Sequence, residues 1–357
     1  MEQIVFEPIV KDRTNTYATL PWVEKYRPKD LDHVLSHHHI VSMLNVYIKK
    51  RNFPHFLFYG PPGTGKTSTI CATARKLYGD SYKFMVLELN ASASRGVEAV
   101  RNKVHKFVVT DTTYFGIRTK RHRFKLVILD EVDAMTHDAQ ALLRKLVETY
   151  TYNVRFCLIC NYIKKINPAL QSRCTIFRFS PLSTDAISTR TLEIAEEEGV
   201  TVTPDGIESI IDHAEGDMRK VINTLQATYM GFGEVNSETV ISCMGYPKKE
   251  QINMIVDSLL NHSFNDCHRY LKRMKEIEGI SLDDIVWELE RLIRGSITRE
   301  TGTGFDTMDP FRKASILSQL RCIEIHQSTN TTDNIQLSGL ISLFKLPHIR
   351  PKKERAT

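Results

Sequence analysis

A chain of 357 residues that is 41% hydrophobic and 25% charged has the composition of a folded globular protein and excludes a disordered or collagenous one, while no apolar run approaches the ~18 residues of a membrane span. Its length exceeds one compact core and predicts two or three domains. The net charge of +6 permits nucleic-acid binding without demanding it, and seven cysteines spread from Cys71 to Cys322 fit a reducing, intracellular compartment better than a disulfide framework.

The first residues, Met1 to Tyr17, set Glu2, Glu7 and Asp12 among scattered apolar positions and lack a signal-peptide core. Leu20 to Pro28 reads as an irregular, aromatic and basic segment closed by prolines, a docking segment rather than a helix or strand. His37-His38-His39 has no companion cluster of acids or cysteines and reads as a solvated helix start. Ile40, Leu44, Tyr47 and Ile48 share one helical face that ends near Arg51. Strands and helices then alternate. Strands are predicted at Phe56–Tyr59, Phe84–Leu89, Lys125–Leu129, Arg155–Ile159 and Thr175–Phe179, with helices over Thr67–Leu77, from about Gly96 and from about Thr136. This alternation predicts an α/β domain with a doubly wound, mainly parallel sheet. Runs such as Leu126-Val127-Ile128-Leu129 suit strands buried on both faces. Cys157 and Cys160 fall in such a strand, and with no second C-x-x-C they read as core residues rather than half a zinc site.

After Pro181 the strand signals stop. Helices are predicted at Asp185–Glu197, at Pro204–Ala214 with Thr203 as cap, and at Asp217–Tyr229, forming a small helical domain. From Pro247 the pattern stays helical, with Leu282, Ile285, Leu289, Leu292 and Ile293 at 3.6-residue spacing, and predicts a third, all-α domain. The expected divisions are a polar leader at 1–18, the α/β domain at 19–182, the small helical domain at 183–246, the all-α domain at 247–350 and a basic tail at 351–357. The basic runs Arg118 to Arg123 and Arg350 to Arg355 read as a solvated loop and tail.

The chemistry is concentrated at the ends of the predicted strands. Gly60-Pro61-Pro62-Gly63-Thr64-Gly65-Lys66-Thr67 fits G-x-x-x-x-G-K-[ST] between a strand and a helix, the context of a phosphate-binding loop. Its glycines let backbone N–H groups wrap a polyphosphate, and the helix start adds its positive dipole end. Lys66 would reach the β and γ phosphates and Thr67 would ligate Mg²⁺. About 60 residues on, an apolar strand ends in Asp130-Glu131, where Asp130 can hold Mg²⁺ and Glu131 can take a proton from an attacking water. Asn161 ends the next strand beside this pair and could orient that water. Gly216-Asp217-Met218-Arg219 opens a helix, and an arginine in a first turn is disfavoured by the dipole, so Arg219 calls for an anionic partner.

In this order, with Ser172-Arg173-Cys174 between them, these elements resemble those of an AAA+ ATPase. Pro21 to Pro28, Glu88-Leu89-Asn90-Ala91-Ser92 and the Ser-Arg-Cys triplet resemble the small subunits of replication factor C, the sliding-clamp loader. The similarity covers nearly all of residues 19 to 350 and is specific in the motifs before the C-terminal helical part. The resemblance implies an AAA+ P-loop NTPase fold with a helical lid and an all-α collar, ATP and Mg²⁺ as cofactors, and a nuclear hetero-pentamer with other replication factor C subunits. That assembly would load the sliding clamp PCNA onto primer-template DNA in replication and repair. By the same resemblance Val23, Arg27 and Leu35 line the adenine site, and Gly60, Pro61, Pro62, Gly63, Thr64, Gly65, Lys66, Thr67 and Ser68 hold the phosphates. Arg219 senses the γ-phosphate in its own subunit, and Arg173 acts as an arginine finger on a neighbour's ATP. Arg95, Arg101 and Lys103 are the candidates for DNA phosphate contacts, which position a protein without reading sequence. Where the family has two acids before Arg-Gly, this chain has Ala93-Ser94, which removes negative charge beside Arg95.

Two other functions fit parts of the pattern. A nucleotide site kept as a structural latch for assembly would not need the base Glu131. Another AAA+ machine, such as a helicase or unfoldase, remains compatible with the shared ATPase motifs. The absence of an aromatic-Val/Ile-Gly pore-loop triplet argues against an unfoldase, and the Glu-Lys-Tyr-Arg-Pro and Ser-Arg-Cys elements favour the loader.

Overall fold

The computed structural model describes residues 20–92, 97–109, 124–298, 304–327 and 332–345. Met1 to Tyr17, Ala93, Ser94, Arg95 and both basic runs lie outside them. The chain divides into two compact units, one ending at Val240 and one beginning at Ile241.

Five strands form the sheet of the first unit: β1 (Phe56–Tyr59), β2 (Val86–Asn90), β3 (Lys125–Asp130), β4 (Val154–Cys160) and β5 (Thr175–Arg178). Their order is β2-β3-β4-β1-β5 and every neighbouring pair is parallel. Successive side chains point to opposite faces of a strand, so each apolar run feeds two cores. Leu126 and Ile128 join Phe56, Phe58, Ile70 and Ala74 under α2 (His38–Lys50) and α3 (Lys66–Tyr78). Val127 and Leu129 join Leu57, Leu158, Val104 and Leu143 under α5 (Val97–Val109) and α6 (His137–Tyr150). Burial on both faces is why these strands read as continuous apolar runs rather than alternating ones. Cys157 and Cys160 are core residues, and no group of His, Cys, Asp and Glu among the described residues is gathered to hold a metal.

The short α7 (Pro168–Gln171) joins β4 to β5, and α8 (Thr184–Glu198), α9 (Pro204–Ala214) and α10 (Met218–Phe232) follow the sheet. α9 starts as its sequence predicts, with Pro204 in the first turn and the Thr203 side chain accepting from the Gly206 amide. α11 (Ser237–Met244) forms where the sequence signals no element. The second unit is all-α: α12 (Lys249–Asn261), α13 (Phe264–Glu278), α14 (Leu282–Thr298), α15 (Pro310–Gln327) and α16 (Asp333–Lys345). Leu282, Ile285, Leu289 and Ile293 of α14 enter one core with Leu259, Leu271, Leu320 and Phe344. No described helix is long and apolar enough to cross a membrane.

Three local expectations change. Leu20 to Pro28 contains one helical turn, α1 (Trp22–Lys25), because Trp22 is an apolar anchor and its backbone carbonyl accepts from Tyr26. The start predicted for β2 forms α4 (Tyr82–Met85), which leaves Phe84 exposed and Met85 buried. Of the three histidines, His38 and His39 are exposed, but His37 precedes α2 as its cap residue and packs edge-on to Phe179 with ring centroids 4.8 Å apart.

His55, just before β1, carries a pH dependence. Its buried Nδ1 accepts a hydrogen bond from the Phe156 amide at 3.1 Å, which requires the neutral ring. Burial, reinforced by the Arg155 charge, pushes its pKa down to about 4, below an unfolded value of about 6.5. A base with a depressed folded pKa contributes stability that is present above the unfolded value and lost as pH falls towards the folded one. Denaturant midpoints should therefore drop between pH 6.5 and about 4, and His55→Asn, which keeps an acceptor but cannot titrate, should show a smaller drop.

Candidate functional site

The loop after β1 is shaped by contacts that exclude side chains. A Cβ on Gly60 would lie 2.1 Å from the Phe179 carbonyl oxygen. Gly63, at φ +66°, faces Asp217 so closely that a Cβ would lie 1.6 Å from its Oδ1. Thr64 Oγ1 closes the turn by donating to the Pro61 carbonyl at 2.9 Å, and α3 begins at Lys66. The first turn of a helix has amides without intrahelical partners, so this loop presents N–H groups and a positive dipole end.

Lys66 is almost completely buried. Its Nζ donates to the carbonyls of Gly60 and Pro61, both at 2.8 Å, and to Asn161 Oδ1 at 3.0 Å. Burial pushes its pKa below the ordinary lysine value, Asp130 opposes the shift and Arg219 adds to it. Three neutral acceptors solvate the ammonium without neutralising it, so an anion here would stabilise it.

Across from Lys66, Thr67 Oγ1 donates to Asp130 Oδ2 at 2.6 Å, and Asp130 Oδ1 accepts from the Glu131 amide at 2.9 Å. Two hard oxygen donors on fixed backbones fit Mg²⁺. Glu131 is exposed and has φ +57°, a left-handed conformation that is uncommon outside glycine and clusters at functional sites. Beyond β4, Asp133 Oδ2 accepts from the amides of Asn161 at 3.1 Å and Tyr162 at 3.2 Å, fixing the loop that carries the Asn161 side chain.

Helices of the same unit close the other side. Asp217 caps α10 by accepting from the Arg219 amide at 2.8 Å, and the Met218 amide reaches the Gly63 carbonyl at 3.4 Å. The leading segment docks on these helices. Trp22 stacks on Tyr229 and its amide donates to Gln226 Oε1 at 3.1 Å. Lys25 Nζ and Tyr26 OH both donate to Glu198 Oε1, at 2.5 and 2.6 Å. Burial disfavours ionisation of Glu198, but these two donors outweigh it and hold its carboxyl below the ordinary value.

The result is one cleft lined by Val23, Arg27, Leu35, Pro62 through Ser68, Asp130, Glu131, Asn161 and Arg219. The cleft opens to solvent at its mouth, so a ligand could enter it directly. Gly60 and Pro61 contribute through the carbonyls that hold Lys66. Arg173 lies outside the cleft, with NH2 paired to Glu148 Oε1 at 2.7 Å. Arg101 and Lys103 lie on α5, where Lys103 is exposed. Sequence reasoning assigned no role to Asp133, Glu198 or Arg190, the last of which also lines the cleft, and named Asp217 only as the start of a helix. An Asp immediately before a helix is the signal that marks Asp217 as a cap.

Two family models match the chain: "ATPase family associated with various cellular activities (AAA)" over residues 56–182 and "Replication factor C C-terminal domain" over residues 247–342. The chain is similar to replication factor C subunit 5 of Homo sapiens, 44% identical over 92% of each chain. It is 41% identical to replication factor C subunit 3 of Schizosaccharomyces pombe, over 92% of this chain and 91% of that one. The probable subunit 5 of Dictyostelium discoideum is 42% identical over 94% and 96%. These names agree with the sequences from Arg155 to Tyr162 and from Pro168 to Cys174, which resemble the small subunit called 5 in animals and 3 in budding yeast.

The Gly63–Asp217 approach gives a direct test of the loop. Gly63→Ala puts a methyl group into the Asp217 carboxylate and strains a positive φ, so nucleotide affinity, read by fluorescent-nucleotide titration, should fall by at least about tenfold while the far-ultraviolet circular dichroism is preserved.

Proposed function

Because the chain belongs to the replication factor C family of AAA ATPases, we propose that it is an ATP-hydrolysing subunit of a nuclear, hetero-pentameric clamp loader that opens PCNA and sets it on primer-template DNA during replication and repair. The observation that carries the ATPase reading is the convergence in one cleft of Lys66, the Thr67–Asp130 pair, Glu131, Asn161 and Arg219. ATP is the substrate. The glycine loop and the start of α3 bind its phosphates, and Lys66 exchanges neutral carbonyl partners for phosphate oxygens. Thr67 Oγ1 and Asp130 would hold Mg²⁺, which when bound supplies neutralisation of phosphate charge. Glu131 accepts the proton of the attacking water, and Asn161, steadied by Asp133, orients that water. Val23, Arg27 and Leu35 enclose the base, and Arg219 carries the presence of the γ-phosphate to α10.

Arg173 acts on the ATP of a neighbouring subunit. Its exposure and its position outside its own cleft support that role, since an arginine supplied across an interface couples hydrolysis to assembly. Arg101 and Lys103, together with Arg95, offer positive charge to the DNA backbone, and affinity for DNA should be insensitive to sequence and weaken with salt.

Glu131→Gln distinguishes an ATPase from a structural latch. In the assembly purified through this chain, the variant should lose turnover at this site by on the order of a hundredfold with nucleotide binding retained; full DNA-stimulated ATPase would leave only the latch. The isolated chain should hydrolyse ATP feebly, and robust turnover by the monomer would contradict the shared site.

A further inference from the structure

The guanidinium of Arg173 is held by its own chain before any neighbour arrives. Its NH1 donates to the Ala169 carbonyl at 2.7 Å, and its NH2 lies 2.7 Å from Glu148 Oε1. The same Glu148 oxygen accepts from Arg144 Nε at 3.1 Å. One carboxylate therefore bridges two arginines. NH1 also reaches Ser172 Oγ at 3.5 Å; a guanidinium has five N–H groups in a fixed plane, so these contacts orient it and leave donors available. Glu148 stands in the last turn of α6, where the helix dipole disfavours a negative charge, and its favourable electrostatics come from these two arginines. Sharing the carboxylate with Arg144 keeps Arg173 oriented without fully neutralising it.

We propose that Glu148 is a positioning residue for Arg173. It fixes the guanidinium at the C-terminal end of α7 so that the remaining N–H groups can engage an anion presented by another chain, which in the reading above, on which this inference rests, is a neighbour's ATP polyphosphate. Holding the side chain in one orientation lowers the rotamer entropy lost when that anion is engaged. Glu148 acts through Arg173 and touches no substrate.

The test is a double-mutant cycle in the purified assembly, with steady-state ATPase read as kcat and KM separately and assembly checked by gel filtration. Arg173→Ala should lower kcat. Glu148→Ala should lower it in the same direction by about two- to fivefold at the affected interface, the range of an exposed ion pair, with KM unchanged. Glu148→Gln, which keeps an acceptor for the guanidinium, should recover part of the loss. The double variant should be no slower than Arg173→Ala alone. If Glu148→Ala leaves kcat unchanged while Arg173→Ala lowers it, or if the double variant is slower than Arg173→Ala, the positioning role is overturned. If Arg173→Ala itself has no effect, the in-trans reading fails and the inference fails with it.

Discussion

The buried ammonium of Lys66 is the constraint on which the first unit depends. A charge removed from water costs several kcal/mol unless it is paired or well solvated by dipoles, and here the compensation comes from three oxygens on two separate loops. Those loops meet because of the sheet. β1 and β4 are adjacent and parallel, with Tyr59 in register with Cys160, so Gly60 and Asn161 leave neighbouring strands at the same level. β3 lies on the far side of β4 and delivers Asp130 to Thr67. Strand order thus does electrostatic work. It gathers one cation and two carboxylates at the carboxyl ends of three strands, where ligands of open α/β sheets bind.

Neutral oxygens satisfy the hydrogen-bonding capacity of Lys66 but not its charge. The depressed pKa expresses that shortfall, and phosphate relieves it. The Asp130 carboxylate opposes the shift but does not cancel the effect of burial. Glu131 follows Asp130 directly and joins this network through its amide, yet its left-handed backbone turns the chain sharply at the strand tip. Adjacent acids therefore take different roles: Asp130 is locked and Glu131 remains exposed.

Much of this was legible in the sequence because its signals are local. A glycine loop between a strand and a helix, an apolar run that ends in two acids, and a 3.6-residue repeat each lie within one short window. What escaped depends on distant partners. Asp133 matters because β4 ends beside it, and Glu198 because the leading segment returns to α8. The apolar residues before β2 showed no period that separates a helical turn from a strand, and packing placed Met85 in the core with Phe84 outside. A run of three histidines looks uniformly polar, but the geometry before α2 buries His37 alone. In the second unit, by contrast, the repeat in α14 suffices, because an amphipathic helix in an all-α core needs only its apolar stripe to be placed.

The leading segment and the helices after the sheet are tied to each other by Trp22 on Tyr229, Trp22 to Gln226, and Lys25 with Tyr26 on Glu198. Their direct link to the phosphate loop is narrow: the Met218 amide on the Gly63 carbonyl and the close approach of Gly63 to Asp217. Val23 and Arg27 on the tied segment and Arg219 on α10 therefore form one wall of the cleft, while Lys66, Asp130 and Asn161 form the other. A ligand can shift such an arrangement only through contacts that differ between two positions of the walls. In the function proposed above, a base between Val23 and Leu35 would leave that wall unaware of how many phosphates follow. Arg219 lines the cleft from that wall, so in the function proposed above it is the group through which the wall would register the terminal phosphate.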